Sequence, residues 1–237
     1  MRCRGFTLVE LIIVIILLGI VSTISVRFIT FSTQGAVDTS ARQQRALSGV
    51  VISEQISRAL REALPTSVRS NGDCIEWIPI KAASNYLNLP TPSDATGFDA
   101  IPLPGGGTET GRVVVYGYSG DVYDPTNPGP ISPTASMDSS GRVDFDGGQN
   151  HRFTTGSPRK RFFIVDSPRT LCQGGEFLYR YRNYGIQTTI AASLPSSMPN
   201  REVLAANLAS NSVSFEVSPP TLTRGAIVSL SFTLANP

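Results

Sequence analysis

Hydrophobic positions fall into three regimes along the chain. From Phe6 to Val26 nearly every residue is apolar, with Leu11-Ile-Ile-Val-Ile-Ile-Leu-Leu18 at its centre and Glu10 as its one charge. A helix needs roughly 20 such residues to cross the hydrocarbon of a bilayer, so this stretch predicts a membrane-spanning helix. Further on, the apolar positions narrow to one face. Ile52, Ile56, Ala59/Leu60 and Ala63/Leu64 recur at helical spacing, while Glu54, Arg58, Arg61 and Glu62 fall opposite. Glu54, Arg58 and Glu62 are also spaced for i,i+4 ion pairs. Pro65 sets the predicted end, since a proline disfavours helix at the residue before it. In the polar stretch 32–44 the pattern weakens, and a break there would fall near Gly35.

After Pro65 the period drops to two. Ile75-Glu-Trp-Ile-Pro-Ile80, Arg112-Val-Val-Val-Tyr-Gly-Tyr118, Arg161-Phe-Phe-Ile-Val165 and Glu176-Phe-Leu-Tyr-Arg-Tyr-Arg182 read as strands. The cleanest alternation comes last. Val213, Phe215 and Val217 face away from Ser212, Ser214 and Glu216, and Val228, Leu230, Phe232 and Leu234 alternate with Ser229, Ser231 and Thr233. These two strands predict a terminal antiparallel hairpin whose buried face lies on the 52–64 stripe. Residues 119–160, rich in Gly, Pro, Asp and Ser, read as one long loop. The predicted class is α+β: a long N-terminal membrane-spanning helix packed on an antiparallel β-sheet globular lobe. The predicted segments are 1–5, a basic leader; 6–31, the membrane half of the helix; 32–64, its amphipathic half; and 65–237, the β-rich lobe.

Arg2 and Arg4 precede the apolar run, so the positive-inside rule places that end in the cytoplasm and the lobe outside. A carboxylate within an apolar helix is costly without a partner, which makes Glu10 a functional candidate; the plainer alternative is a carboxylate that reaches headgroups and water. The string Gly5-Phe6-Thr7-Leu8-Val9-Glu10, after a short basic leader and before a long aliphatic run, resembles the signal of type IV prepilins and pseudopilins. An ordinary secretory signal fits less well, because the small residue precedes the apolar run and no Ala-x-Ala site follows Val21.

The resemblance implies cleavage after Gly5 by a prepilin peptidase, methylation of the new Phe6 amine, and pairing of Glu10 with the Phe6 amine of a neighbouring subunit. Opposite charges in a low dielectric are expensive apart and favourable together, so such a pair would set the register between packed helices. Implied partners are the peptidase, major and minor pilins, an inner-membrane assembly platform and membrane lipid. The implied location is the inner membrane, with the lobe in the periplasm or at a pilus tip. Gly19 agrees with the common family pattern; Arg27 stands where many pilins have a kinking proline, which argues for a specialised subunit rather than an abundant one. The terminal hairpin, cysteine pair and lobe length resemble the larger minor pilins, of the MSHA-biogenesis MshO and PilW type, and the type II secretion pseudopilin J. The implied role is to start or cap a pilus. A pseudopilus tip subunit and a pilus-tip adhesin are the alternatives.

Composition narrows the chemistry. Without Arg2 and Arg4 the 20 Lys and Arg fall to equal the 18 Asp and Glu, so nothing suggests a nucleic-acid partner. Cleavage after Gly5 would remove Cys3, and the remaining pair, Cys74 and Cys172, reads as one disulfide in an oxidising compartment. His151 is the only histidine, and Gly105-Gly-Gly107 is followed by Thr108-Glu109 rather than lysine, so neither a hydrolase triad nor a phosphate loop is supported. No catalytic residue and no cofactor is expected. His151 reads as an exposed loop residue. Asp121, Asp124, Asp144 and Asp146 are oxygen donors without EF-hand spacing, and are read as solvated rather than as a calcium site. Tyr116, Tyr118, Tyr179, Tyr181 and Tyr184 read as ordinary strand residues, with a sugar-binding face as the sharper alternative.

Overall fold

The computed structural model describes residues 7–235. They divide into two units that part between Val51 and Ile52, within the helix α1, Leu8–Arg61. In the first unit the helix starts on a cap. Thr7 Oγ1 accepts the Glu10 N–H at 3.3 Å, and Thr7 O accepts the Leu11 N–H at 3.2 Å. Thr7-Leu-Val-Glu10 has the spacing of a capping box, with an acid in the first turn where the helix dipole favours it. Helix continues through Gly35, with no break. The hydroxyls of Thr30, Thr33 and Thr39 donate to the carbonyls four residues back, at 2.8–2.9 Å. Polar side chains are thereby satisfied without leaving the helix. An 18-residue window of α1 has a mean hydropathy of 2.7, apolar and long enough to cross a membrane.

In the second unit α1 stops at Arg61, three residues short of the Leu64 predicted from Pro65. The backbone leaves the helix because it finds strand partners first. Glu62 O accepts the Ile80 N–H at 2.8 Å, and the Leu64 N–H donates to Ile78 O at 2.8 Å. Strands follow in chain order: β1 (Arg69–Ser70), β2 (Cys74–Trp77), β3 (Ile80–Asn85), β4 (Gly97–Asp99), β5 (Glu109–Val115), β6 (Ile131–Met137), β7 (Arg142–Phe145), β8 (Arg161–Val165), β9 (Arg169–Gly174), β10 (Phe177–Tyr181), β11 (Arg201–Ala205), β12 (Ser214–Ser218) and β13 (Ile227–Ser231). All the paired strands are antiparallel. They form a five-stranded sheet ordered β1-β2-β9-β10-β11, a six-stranded sheet ordered β3-β8-β5-β6-β7-β4, and the β12-β13 hairpin.

The five-stranded sheet and the hairpin share one core with the end of the helix. Ile75, Trp77, Leu171 and Leu178 from the sheet and Val213 and Phe215 from the hairpin cluster with Ile52 and Ile56. The predicted hairpin is present, with Phe215 opposite Leu230 and Val217 opposite Val228, and its inner face meets the helical stripe.

The six-stranded sheet is not a flat layer. Past the ends of its outer strands Tyr86 bridges Ala100, the Leu87 N–H donates to Asp99 O at 2.8 Å, and the Ile101 N–H donates to Asn85 O at 2.8 Å. These bonds join the chain just past β3 to the chain beside β4 and close the sheet into a barrel at that end. Alternate residues fill it: Val113 and Val115, Phe162 and Ile164, Val143 and Phe145, with Phe98 edge-on to Phe162 and Phe153. Their neighbours Val114 and Val165 form a separate outer cluster with Leu64, Ile78 and Tyr123.

The predicted loop over residues 119–160 is corrected here: it contains β6 and β7. Its Pro133 hides a strand. Proline cannot donate to a ladder and is confined to edges and bulges, yet β6 lies inside the sheet. The pairing with β5 shifts between Arg112 and Val114, opposite this proline. Ser132 Oγ accepts the Val113 N–H at 2.9 Å, so a side chain supplies the bond that the bulged backbone cannot.

Candidate functional site

The sequence singles out three positions at the helix start. Gly5 and Phe6 lie outside the described residues; Glu10 lies in the first turn of α1 and is exposed. Around it Leu8, Val9, Leu11, Ile12, Ile13 and Val14 are exposed as well, so the helix is apolar on every side. Such a surface belongs in lipid or against other apolar helices. Among the described residues the Glu10 carboxylate has no hydrogen-bond or ionic partner. A carboxylate in that surface is stable only if a cation or water reaches it.

Cys74 and Cys172 occupy opposed positions on β2 and β9 and are joined by a disulfide, with Cα atoms 4.2 Å apart. The 98-residue separation contains the whole barrel. The bridge therefore clamps the base from which the barrel strands leave and to which they return.

On that same outer face lies an arrangement that sequence reading missed. Glu76 is fully buried. Its Oε2 accepts from Arg69 Nε at 2.6 Å and its Oε1 from the Tyr184 hydroxyl at 2.8 Å. Arg69 also donates to Thr188 O at 2.7 Å and to Gln187 O at 2.6 Å, and its guanidinium lies 3.5 Å above the Tyr123 ring. Burial, with the Glu76 charge added, pushes the Tyr184 phenol well above its ordinary range, so it stays a proton donor. The network pins segment 182–200 over the sheet. The available signal was Glu76 within a buried-looking strand, a polar residue that must find a partner.

The remaining candidates disperse. Asp121 Oδ1 accepts the Tyr123 N–H and Asp124 Oδ1 the Thr126 N–H, both local turns, while Asp144 pairs with Arg142 at 2.8 Å and Asp146 accepts from Ser136. Among the described residues no three of His, Cys, Asp and Glu gather to hold a metal. His151 is not exposed, as its loop context predicted, but 1% accessible. Its ring packs edge-on to Phe153 and Phe145, with Nε2 3.3 Å from Gly129 O. Burial lowers its pKa. The tyrosines form no single face: Tyr116 and Tyr118 pair at 5.8 Å, Tyr179 and Tyr181 line up on β10, and Tyr184 is tied to Glu76.

Comparison with known proteins agrees with the helix start. Residues 1–26 match the family described as the prokaryotic N-terminal methylation motif. No curated protein and no solved structure matches the chain. The motif and the apolar helix are consistent with a membrane-anchored envelope protein. With the α+β layout of helix and antiparallel sheets they support a type IV pilin-like protein; the family that carries this motif is structural rather than catalytic.

Proposed function

We propose that this chain is a minor type IV pilin-like subunit that initiates or caps a filament of the cell envelope, of the MSHA type. In this reading a prepilin peptidase cuts after Gly5, the Phe6 amine is methylated, and the lobe faces the periplasm. Glu10 then accepts the Phe6 amine of a neighbouring subunit and fixes the register between helices. The observation that carries it is the Glu10 carboxylate, without a partner among the described residues and set among exposed apolar side chains, within a stretch that matches the methylation motif. Arg27, exposed on the same helix, supports a position of low copy number, because burying an unpaired guanidinium at every step of a shaft is costly.

The direct test is mass spectrometry of the mature N-terminus, which should read methylated Phe6. Gly5→Leu should abolish that product and leave a precursor that still inserts in the membrane. Normal maturation of Gly5→Leu would remove the basis for the reading.

A further inference from the structure

A cleft of about 350 Å³ opens on the lobe between the end of β5, the start of β8 and the β12-β13 connection. Its apolar wall includes Phe163 and Leu64, and at its mouth are Tyr116, Tyr118, Arg159 and Arg161. No acidic residue lines it. Elsewhere on the lobe arginines are mostly neutralised: Arg69 by Glu76, Arg142 by Asp99 and Asp144, Arg180 by Glu202, Arg169 by Asp166. Arg159 and Arg161 have no such carboxylate among the described residues; Lys160, between them in sequence, does not line the cleft. The cleft is thus a local excess of cation beside an aromatic pair, in a lobe where acidic residues otherwise outnumber basic ones.

Both walls are held in uncommon backbone. Tyr116 has φ 45° and Lys160 has φ 52°, left-handed conformations that L residues with large side chains rarely adopt. Such residues cluster at binding sites, where surrounding structure holds a side chain in a set direction. Gly117, next to Tyr116, approaches so closely that a Cβ there would stand 2.4 Å from Thr66 Oγ1. The Tyr118 hydroxyl donates to Thr221 O at 3.0 Å, which ties the hairpin connection to the rim. The rim is therefore built from three chain segments, and its tyrosines are positioned before any ligand arrives.

We infer that this cleft binds a carboxylated sugar. A guanidinium forks onto a carboxylate through paired N–H bonds, and a tyrosine ring offers a flat amphipathic face for a pyranose. The volume is at the low end for small-ligand sites, suited to one or two sugar rings. A free inorganic anion would use the arginines but not the tyrosine pair. A neutral sugar would use the tyrosines but leave the arginines without a partner.

The test uses the full-length processed chain in lipid nanodiscs, titrated calorimetrically at low salt with galacturonate, galactose, inorganic phosphate and pentaglutamate. Galacturonate should bind, and galactose should bind about tenfold more weakly, the equivalent of one charge-assisted hydrogen bond. Arg161→Gln and Arg159→Gln should each weaken galacturonate by about tenfold, whereas Lys81→Gln, on β3 but outside the cleft lining, should change nothing. Tyr118→Leu should weaken binding and Tyr118→Phe should retain it, which separates the ring from its bond to Thr221; circular dichroism confirms that each variant is folded. Equal binding of phosphate or pentaglutamate, equal binding of galactose, insensitivity to the arginine substitutions, or no binding of galacturonate at all would each overturn the inference.

Discussion

Arg69 and Glu76 face each other across β1 and β2, with Nε 2.6 Å from Oε2, and the carboxylate has no access to solvent. The pair holds two layers together. Glu76 belongs to the sheet that packs on the helix, while the two remaining guanidinium nitrogens reach the carbonyls of Gln187 and Thr188 in the covering segment. A buried pair is costly to make and costlier to break.

Removing one partner should therefore destabilise strongly. Arg69→Met should cost about 3 kcal/mol, the low end for a buried pair because Arg69 is one-fifth exposed. Arg69→Met combined with Glu76→Gln should recover part of that loss, since no charge is then left unpaired. Chemical denaturation of the full chain in detergent measures both. A loss in the double variant as large as in the single one would mean that packing, not charge, sets the effect.

The disulfide encloses the barrel, so its loss should loosen the barrel's base. In the chain-entropy model a loop of this length is worth roughly 4–5 kcal/mol, an upper figure for measured bridges. Cys74→Ser should lower the denaturation midpoint and admit protease within residues 78–168. Thiol titration of the native mature chain should find no free cysteine. Two titratable thiols there would show that Cys74 and Cys172 are not bridged in the cell.

His151 gives the lobe an acid sensitivity. Its folded pKa lies below the ordinary value near 6.5, because burial among Phe145 and Phe153 disfavours the imidazolium. In that window the unfolded chain binds the extra proton and the folded chain does not, so stability falls as pH drops below about 6.5. The carboxylates of Asp99, Asp138 and Glu109, held low by hydrogen bonds, lose their contribution only further down, near and below their own ordinary range. Thermal unfolding between pH 7 and 5 should show the decline, and His151→Phe should flatten it. An equal slope in both proteins would assign the effect elsewhere.

Glu10→Val removes a costly charge from an apolar helix, so insertion and cleavage should proceed at least as well as in the native chain. Assembly should fall or vanish, because the loss is borne by the state with a neighbour present. Cysteines placed near Phe6 and Glu10 of adjoining subunits should cross-link in the native background and lose that coupling in Glu10→Val. Equal coupling in both would leave Glu10 as a carboxylate that merely reaches the interface.

Three features were legible from the chain alone, all governed by neighbours in sequence. The apolar run up to Val26 specifies a helix, present from Leu8 and long and apolar enough to cross a membrane, because each residue's preference is local and additive. The terminal hairpin was legible because its strands are wet on one face, so Phe215 and Leu230 alternate visibly with serines. The spacing of Gly5, Phe6 and Glu10 is a local signature too, and it lies within the residues that match the methylation motif. Tertiary structure decided the rest. β6 and β7 were hidden because a barrel closed on itself can bury small and polar residues, and because Ser132 covers for Pro133 at a bulge. His151 looked exposed among glycines and aspartates, yet Gly129 O, 22 residues away, and the rings of Phe145 and Phe153 take it inside. Glu76 falls within the predicted strand 75–80, but nothing in the sequence pairs it with Arg69; the fold of segment 182–200 over the sheet brings Tyr184, Gln187 and Thr188 to the pair. Periodicity reports which face of an element is dry, but a residue dried by a distant segment leaves no period behind.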